Sequence, residues 1–161
     1  MSNFFFPYFG PLIGHTTLTP QQVKDLKKIC NTKISNHKNL AGHIKDEYLL
    51  NAVDYEKIVK PQLEGYKKFY NKELKSIKTT TAWVNYMKAG DFNPPHIHIN
   101  CRFSSVLFVQ FPKEILKEND EHQAASKGPG AIEFFYGENQ IRDNVNSYAI
   151  VPKEGDMFIF P

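Results

Sequence analysis

The sequence contains few cysteines and no apolar run of membrane-spanning length. Its two cysteines, Cys30 and Cys101, lie far apart on what read as different elements, so we expect free thiols in a reducing compartment. No stretch approaches the ~20 apolar residues of a transmembrane helix. The opening residues also lack a basic region followed by a long apolar segment. We therefore expect a cytoplasmic protein without a membrane partner.

Several common functional motifs are also missing. The chain has no P-loop, Rossmann glycine motif, Cys-x-x-Cys pair or serine nucleophile elbow, which argues against the functions built on them. Residues 1–80 hold thirteen lysines against seven acidic residues, whereas residues 81–161 hold seven basic against ten acidic residues. The lysines are spread along predicted helical faces and are not interleaved with aromatics, so nucleic acid is not an expected partner.

The first half of the chain has helical periodicity. Thr19 is predicted as an N-cap, with Pro20 at the first helical position and Gln22 closing a capping box. A second helix is predicted over residues 54–74, and Pro61 should either kink it or begin a new helix. The first fifteen residues are apolar and rich in turn formers, which indicates an irregular strand.

From Thr79 onward the apolar period becomes that of strands. Aromatics make up 14% of the chain, which favours packed sheets. Strands are predicted at residues 79–87, 97–99, 104–111, 131–136, 147–151 and 156–160. Residues 112–129 are polar and are predicted to be a surface insertion between strands. Helices followed by short strands indicate an α+β fold with a sandwich or barrel core.

These patterns predict a single domain over residues 1–161. Residues 1–78 form its helical half and residues 79–161 its β core. A strand ending at Phe160 would leave a sheet edge open, and open edges are a liability. We therefore expect further strands beyond Pro161.

The segment Asn93-Pro94-Pro95-His96-Ile97-His98 carries the clearest chemical signal. Residues two apart in an extended segment point the same way, so His96 and His98 can converge on one point. Two imidazoles at that spacing suit a transition metal such as Fe, Zn or Ni. The two prolines stiffen the approach to His96. The pair is therefore a candidate metal site.

The spacing Tyr86-x3-Gly90-x4-Pro95-His96-x-His98 resembles the Fe(II)/2-oxoglutarate-dependent oxygenases, especially their prolyl-hydroxylase-like branch. It is most similar to small marine-phage and bacterial members. Residues 6–12, 40–44 and 152–161 also resemble that group. The resemblance implies a double-stranded β-helix (a jelly roll, as in cupins) with the N-terminal helices packed on one sheet. If the protein is encoded by a phage, as the resemblance suggests, its expected location is the host cytoplasm or the virion.

The resemblance also implies a function and a cofactor set. The chain would be an Fe(II)/2-oxoglutarate-dependent hydroxylase, a dioxygenase with ascorbate as an optional reductant. His96 and His98 would be the catalytic metal ligands, with His98 standing where a carboxylate is usual. Tyr86 would bind 2-oxoglutarate, and Asn85 is expected to point into the barrel beside it. A distal histidine and a 2-oxoglutarate-binding arginine are expected beyond Pro161. The implied partners are this small cosubstrate and a protein substrate, for example a peptidyl proline.

Two other interpretations fit the same residues. Gly90-x5-His96-x-His98 matches the first half of a cupin motif, although residues 99–103 lack the glutamate that should follow. The second is a non-catalytic structural or binding protein, for example a phage component, that keeps the jelly roll without a working iron site. Arg102 and Arg142, the two arginines, are further candidates for binding a carboxylate.

Overall fold

The computed structural model describes residues 4–5, 10–70, 73–125, 127–137 and 147–161. It divides the chain into two compact units, one of residues 1–18 with 103–161 and the other of residues 19–102. Arg142 and residues 6–9 of the opening segment lie outside the described residues. No helix within the described residues is both long enough and apolar enough to cross a membrane.

The first unit contains two antiparallel sheets and one short helix. Its elements are β1 (Phe4–Phe5), β2 (Gly14–Thr17), β5 (Ser104–Leu107), α3 (Lys113–Glu121), β6 (Ile132–Phe135), β7 (Ser147–Ile150) and β8 (Asp156–Phe160). One sheet has the strand order β1-β2-β8-β5, and β6 pairs with β7 in the other.

Aromatic side chains join the two sheets of the first unit. Ile13 and Phe158 are buried at the centre, and the side chains packed against them are those of Phe108, Ile132, Phe134, Tyr148, Ile150 and Phe160. The Phe134 ring lies 5.7 Å from that of Phe158 and 5.0 Å from that of Phe160. Each buried aromatic of this kind contributes roughly 1.5–3 kcal/mol to folding. β8 has strands on both sides, so four of its five residues are buried.

The second unit contains α1 (Pro20–Ile29), a 3-10 turn at His37–Asn39, β3 (Asp46–Leu49), α2 (Ala52–Tyr70) and β4 (Trp83–Tyr86). The predicted capping box is present: Thr19 and Gln22 exchange hydrogen bonds at the start of α1. Gln22 also donates through Nε2 to the Ile58 carbonyl, 2.7 Å away, and to Gln62 Oε1, 3.0 Å away. This polar bridge holds α1 against α2.

β3 and β4 form a two-stranded antiparallel ribbon in the second unit. Leu49 pairs with Trp83, and Asp46 pairs with Tyr86 at the other end. The ribbon is tied to α1 because the Tyr86 hydroxyl donates to the Cys30 carbonyl, 2.9 Å away. Lys88 and Asp46 form an ion pair of 2.7 Å beside that end. The Lys88 ammonium is the main reason that the pKa of Asp46 is lowered.

The predicted α+β class is confirmed, with several small antiparallel sheets and helices. One local prediction was wrong, because residues 97–99 form no strand. The predicted surface insertion lies between β5 and β6 and contains α3, which has no buried residue. Pro61 does not begin a new helix, because α2 runs through it as one element. The sequence interpretation also missed β3.

Candidate metal site

The two histidines of the motif converge in the second unit. The Nε2 atoms of His96 and His98 lie 3.0 Å apart, and their ring centroids are 5.0 Å apart. Two nitrogens that each bind one metal ion at about 2.1 Å and at right angles lie about 3.0 Å from one another. The described geometry therefore fits two adjacent ligands of one ion.

His96 is held in a defined tautomer. Its Nδ1 lies 2.8 Å from the Pro94 carbonyl oxygen. A carbonyl can only accept, so Nδ1 must carry the hydrogen that is donated. In the neutral ring, Nε2 then presents its lone pair, which is the state that a metal ligand needs. The sequence predicts that Pro94 and Pro95 stiffen this segment. The structure adds that the Pro94 carbonyl is an acceptor that orients the ring of His96.

His98 lies in a drier environment than His96. It is half-buried, whereas His96 is exposed. Burial lowers the pKa of His98, and the nearby His96 lowers it further. The ring of Trp83 lies 5.7 Å from that of His98 in an edge-on arrangement at 70°. A lowered pKa keeps the imidazole neutral near pH 7, as metal binding requires.

The turn before the histidines is fixed by local hydrogen bonds. The Lys88 backbone N–H donates to the Asp91 carboxylate at 2.9 Å, and the Asp91 backbone N–H donates to the Lys88 carbonyl at 3.0 Å. Gly90, between them, has a positive φ of +89°. Asp91 therefore serves the turn. The His43 backbone N–H donates to the Phe92 carbonyl at 2.8 Å. The loop over residues 40–44 therefore packs beside the approach to the site.

The side chains of β4 alternate between two faces of the ribbon. Trp83 and Asn85 lie on one face, and Tyr86 lies on the other. The Tyr86 hydroxyl already has the Cys30 carbonyl as acceptor, and burial raises its pKa. The structure thus places Asn85, and not Tyr86, on the face that carries Trp83. Cofactor binding by Asn85 and Tyr86 stays a prediction.

A buried carboxylate lies opposite Asn85. Glu47 is fully buried, and its Oε2 lies 3.0 Å from Nδ1 of His37. The other oxygen, Oε1, and the Oδ1 of Asn85 are both buried without a hydrogen-bond partner. Sequence reasoning missed this cluster because an isolated glutamate in a short polar segment usually faces solvent.

The described residues bring no third metal ligand to the pair. Over the described part of the chain, no group of three or more His, Cys, Asp and Glu side chains could hold a metal ion. His122, which follows α3 in the first unit, is not part of such a group either. The candidate site therefore consists of two adjacent imidazoles.

Comparison with known proteins identifies the family. A family model described as "Putative 2OG-Fe(II) oxygenase" matches residues 81–161, half of the chain. The chain belongs to this family. The matched region begins just before Trp83 and includes both histidines. Membership in the 2OG-Fe(II) oxygenases implies dioxygenase chemistry with Fe(II) and 2-oxoglutarate. No curated protein and no solved structure matches the chain.

Proposed function

We propose that this chain is an Fe(II)/2-oxoglutarate-dependent hydroxylase whose metal is held by His96 and His98. The observation that carries the proposal is the 3.0 Å separation of the two Nε2 atoms. The family match supplies the identity of the metal and the cosubstrate. Paired imidazoles suit several transition metals, Fe(II) among them, so the choice of iron rests on the family match.

The proposed reaction consumes 2-oxoglutarate, O2 and a substrate C–H bond and yields succinate, CO2 and the C–OH product. One oxygen atom of O2 enters succinate and the other enters the product, so atoms and electrons balance. When bound, Fe(II) supplies the activation of O2 that this coupling needs. The substrate class in this proposal is a peptidyl residue such as proline. This part rests on the resemblance of the Tyr86–His98 spacing to the prolyl-hydroxylase-like branch.

The protein's own residues have separate tasks in this proposal. The Pro94 carbonyl holds the hydrogen of His96 on Nδ1, so the Nε2 lone pair faces Nε2 of His98. The partly buried environment of His98 keeps that ring neutral. Asn85 and Tyr86 are the proposed 2-oxoglutarate ligands. Asn85 shares a face of the ribbon with Trp83, whereas Tyr86 would have to give up its bond to the Cys30 carbonyl and turn from the opposite face. The facing sheets of the first unit are proposed to belong to a jelly roll.

The test is metal-dependent binding of 2-oxoglutarate, measured by calorimetry without oxygen and with Fe(II) present. We expect binding to the wild-type protein, its loss in His96→Ala and His98→Ala, and no change in His122→Ala. His122 is an exposed histidine of the first unit, so its variant is a matched control. Admission of O2 should then produce succinate. Binding that survives both His96→Ala and His98→Ala would refute the proposed site.

One observation favours a second candidate, a binding protein that retains the fold without oxygenase activity. Within the described residues, His96 and His98 have no third protein ligand. Two imidazoles alone hold a divalent ion weakly. Under this alternative, the calorimetric test shows neither Fe(II) nor 2-oxoglutarate binding at micromolar protein.

A further inference from the structure

We propose that Trp83 is a positioning residue that orients the ring of His98 for metal binding. This inference rests on the proposed function, since it assumes that the His96–His98 pair binds a metal. Its basis is the edge-on contact of 5.7 Å between the Trp83 and His98 rings. Trp83 is not proposed to touch the metal.

His98 lies in a loop, and its ring contacts both His96 of that loop and Trp83 of β4. Residues 93–103 contain no helix and no strand. His96 has a local support in the Pro94 carbonyl. Without a fixed neighbour, the ring of a loop histidine samples several rotamers, and ordering it on metal binding costs free energy. Loop ligands therefore depend on contacts with rigid elements.

Trp83 lies on such an element. It pairs with Leu49 across the β3–β4 ribbon, and the adjacent Leu50 donates its backbone N–H to the Ala82 carbonyl at 2.9 Å. The far end of β4 is tied to α1 by Tyr86. The indole is thus fixed from both ends of its strand, and its position restricts the rotamers of the His98 ring.

The contact geometry is directional. Aromatic rings that meet edge to face have a preferred orientation, because the edge of one ring is attracted to the face of the other. At an interplanar angle of 70°, the two rings are close to that arrangement. A smaller aromatic ring can preserve this preference, whereas an aliphatic side chain of similar volume cannot. If Trp83 orients His98 in this way, phenylalanine at position 83 should preserve metal binding, whereas leucine should not.

The experiment is a Co(II) titration followed by calorimetry and by the visible absorption of the bound ion. The proteins are the wild type, Trp83→Leu, Trp83→Phe, His98→Ala and Leu26→Ala. Leu26 is buried in α1 of the same unit, so its variant controls for a general loss of stability. Thermal unfolding of each variant is measured alongside.

We expect Trp83→Leu to weaken Co(II) binding about tenfold, within the range seen when a residue behind a metal ligand is changed. Trp83→Phe should recover most of the affinity and the wild-type absorption. Leu26→Ala should lower the melting temperature without changing the affinity. Wild-type affinity in Trp83→Leu, or equal weakening in Leu26→Ala, would overturn the role of Trp83 while leaving the site intact. Failure of the wild type to bind Co(II) would instead overturn the metal site itself.

Discussion

Glu47 and Asn85 are direct neighbours across the β3–β4 ribbon, and each has one buried oxygen without a hydrogen-bond donor. Both atoms are acceptors, so neither can donate a hydrogen bond to the other. A buried, unsatisfied polar atom costs about 1–3 kcal/mol. The ribbon that carries Trp83 thus contains a local source of instability.

A single substitution should relieve this instability. In Glu47→Gln, the amide oxygen can still accept from His37, and the new NH2 group can donate to Asn85 Oδ1. We expect the free energy of unfolding to rise by about 1 kcal/mol, whereas Glu47→Ala should lower it by about 2 kcal/mol or more. Urea unfolding of the three proteins measures both changes. Equal destabilisation by both substitutions would indicate that Oε1 already has a donor, such as a bound water.

The helix cap of α1 gives a second prediction. Thr19→Ala removes the side-chain bond to the Gln22 backbone and should lower the free energy of unfolding by about 1 kcal/mol. Gln22→Ala should cost more, because Gln22 also bonds to Ile58 and Gln62. Urea unfolding checks this order, with Gln21→Ala as an exposed control on the same turn. If Thr19→Ala is the more destabilising of the two, the hydrogen bonds from Gln22 to α2 contribute little to the free energy of unfolding.

The two cysteines should differ in reactivity. Cys30 is 5% exposed and burial raises its pKa, whereas Cys101 is exposed. A raised pKa means less thiolate at any given pH below it, and the thiolate is the reactive form. At pH 8, we expect a thiol reagent to label Cys101 quickly and Cys30 slowly. Because its pKa is raised, the labelling rate of Cys30 should still increase with pH at values where the labelling rate of a thiol with an ordinary pKa no longer changes.

Cys101→Ser provides the control for this measurement. In that variant, the fast phase should disappear and the slow one should remain. A fast phase that persists in Cys101→Ser would show that the end of α1 opens readily in solution.

The strong local patterns could be predicted from the sequence. The cap at Thr19 was predicted because its hydrogen bonds lie within one turn of the chain, and it is confirmed. β8 was predicted with its observed bounds because its apolar run is bounded by Gly155 and Pro161. Such features depend on neighbours in the sequence. They do not need knowledge of the tertiary contacts.

The elements that were missed depend on tertiary contacts or on weak patterns. β3 has the sequence Asp-Glu-Tyr-Leu, and its buried position is Glu47, which reverses the usual pattern of apolar residues inside. α3 has two apolar residues, Ile115 and Leu116, and no buried side chain, which is too little to distinguish its sequence from a polar loop. Pro61 is tolerated because α2 is held by packing along its length, with Leu63 and Tyr66 buried.

The candidate site could be predicted in part. The spacing of His96 and His98 predicted that their rings could converge, although no strand forms there. The residues that support the rings were not predicted. The Pro94 carbonyl is a backbone atom without a sequence signature, and Trp83 is thirteen to fifteen positions away from the histidines. The Trp83 contact also depends on how the chain folds back on itself.

The most direct test of the metal site uses the intrinsic fluorescence of Trp83, the single tryptophan of the chain. Its ring lies 5.7 Å from that of His98, so a paramagnetic ion bound by the histidine pair should quench it. Titration with Co(II) should give saturable quenching that fits one ion per chain in the wild type and in His122→Ala. The quenching should be lost in His96→Ala and in His98→Ala. Saturable quenching that persists in both of these variants, or its absence from the wild type, would contradict the assignment of His96 and His98 as the metal ligands.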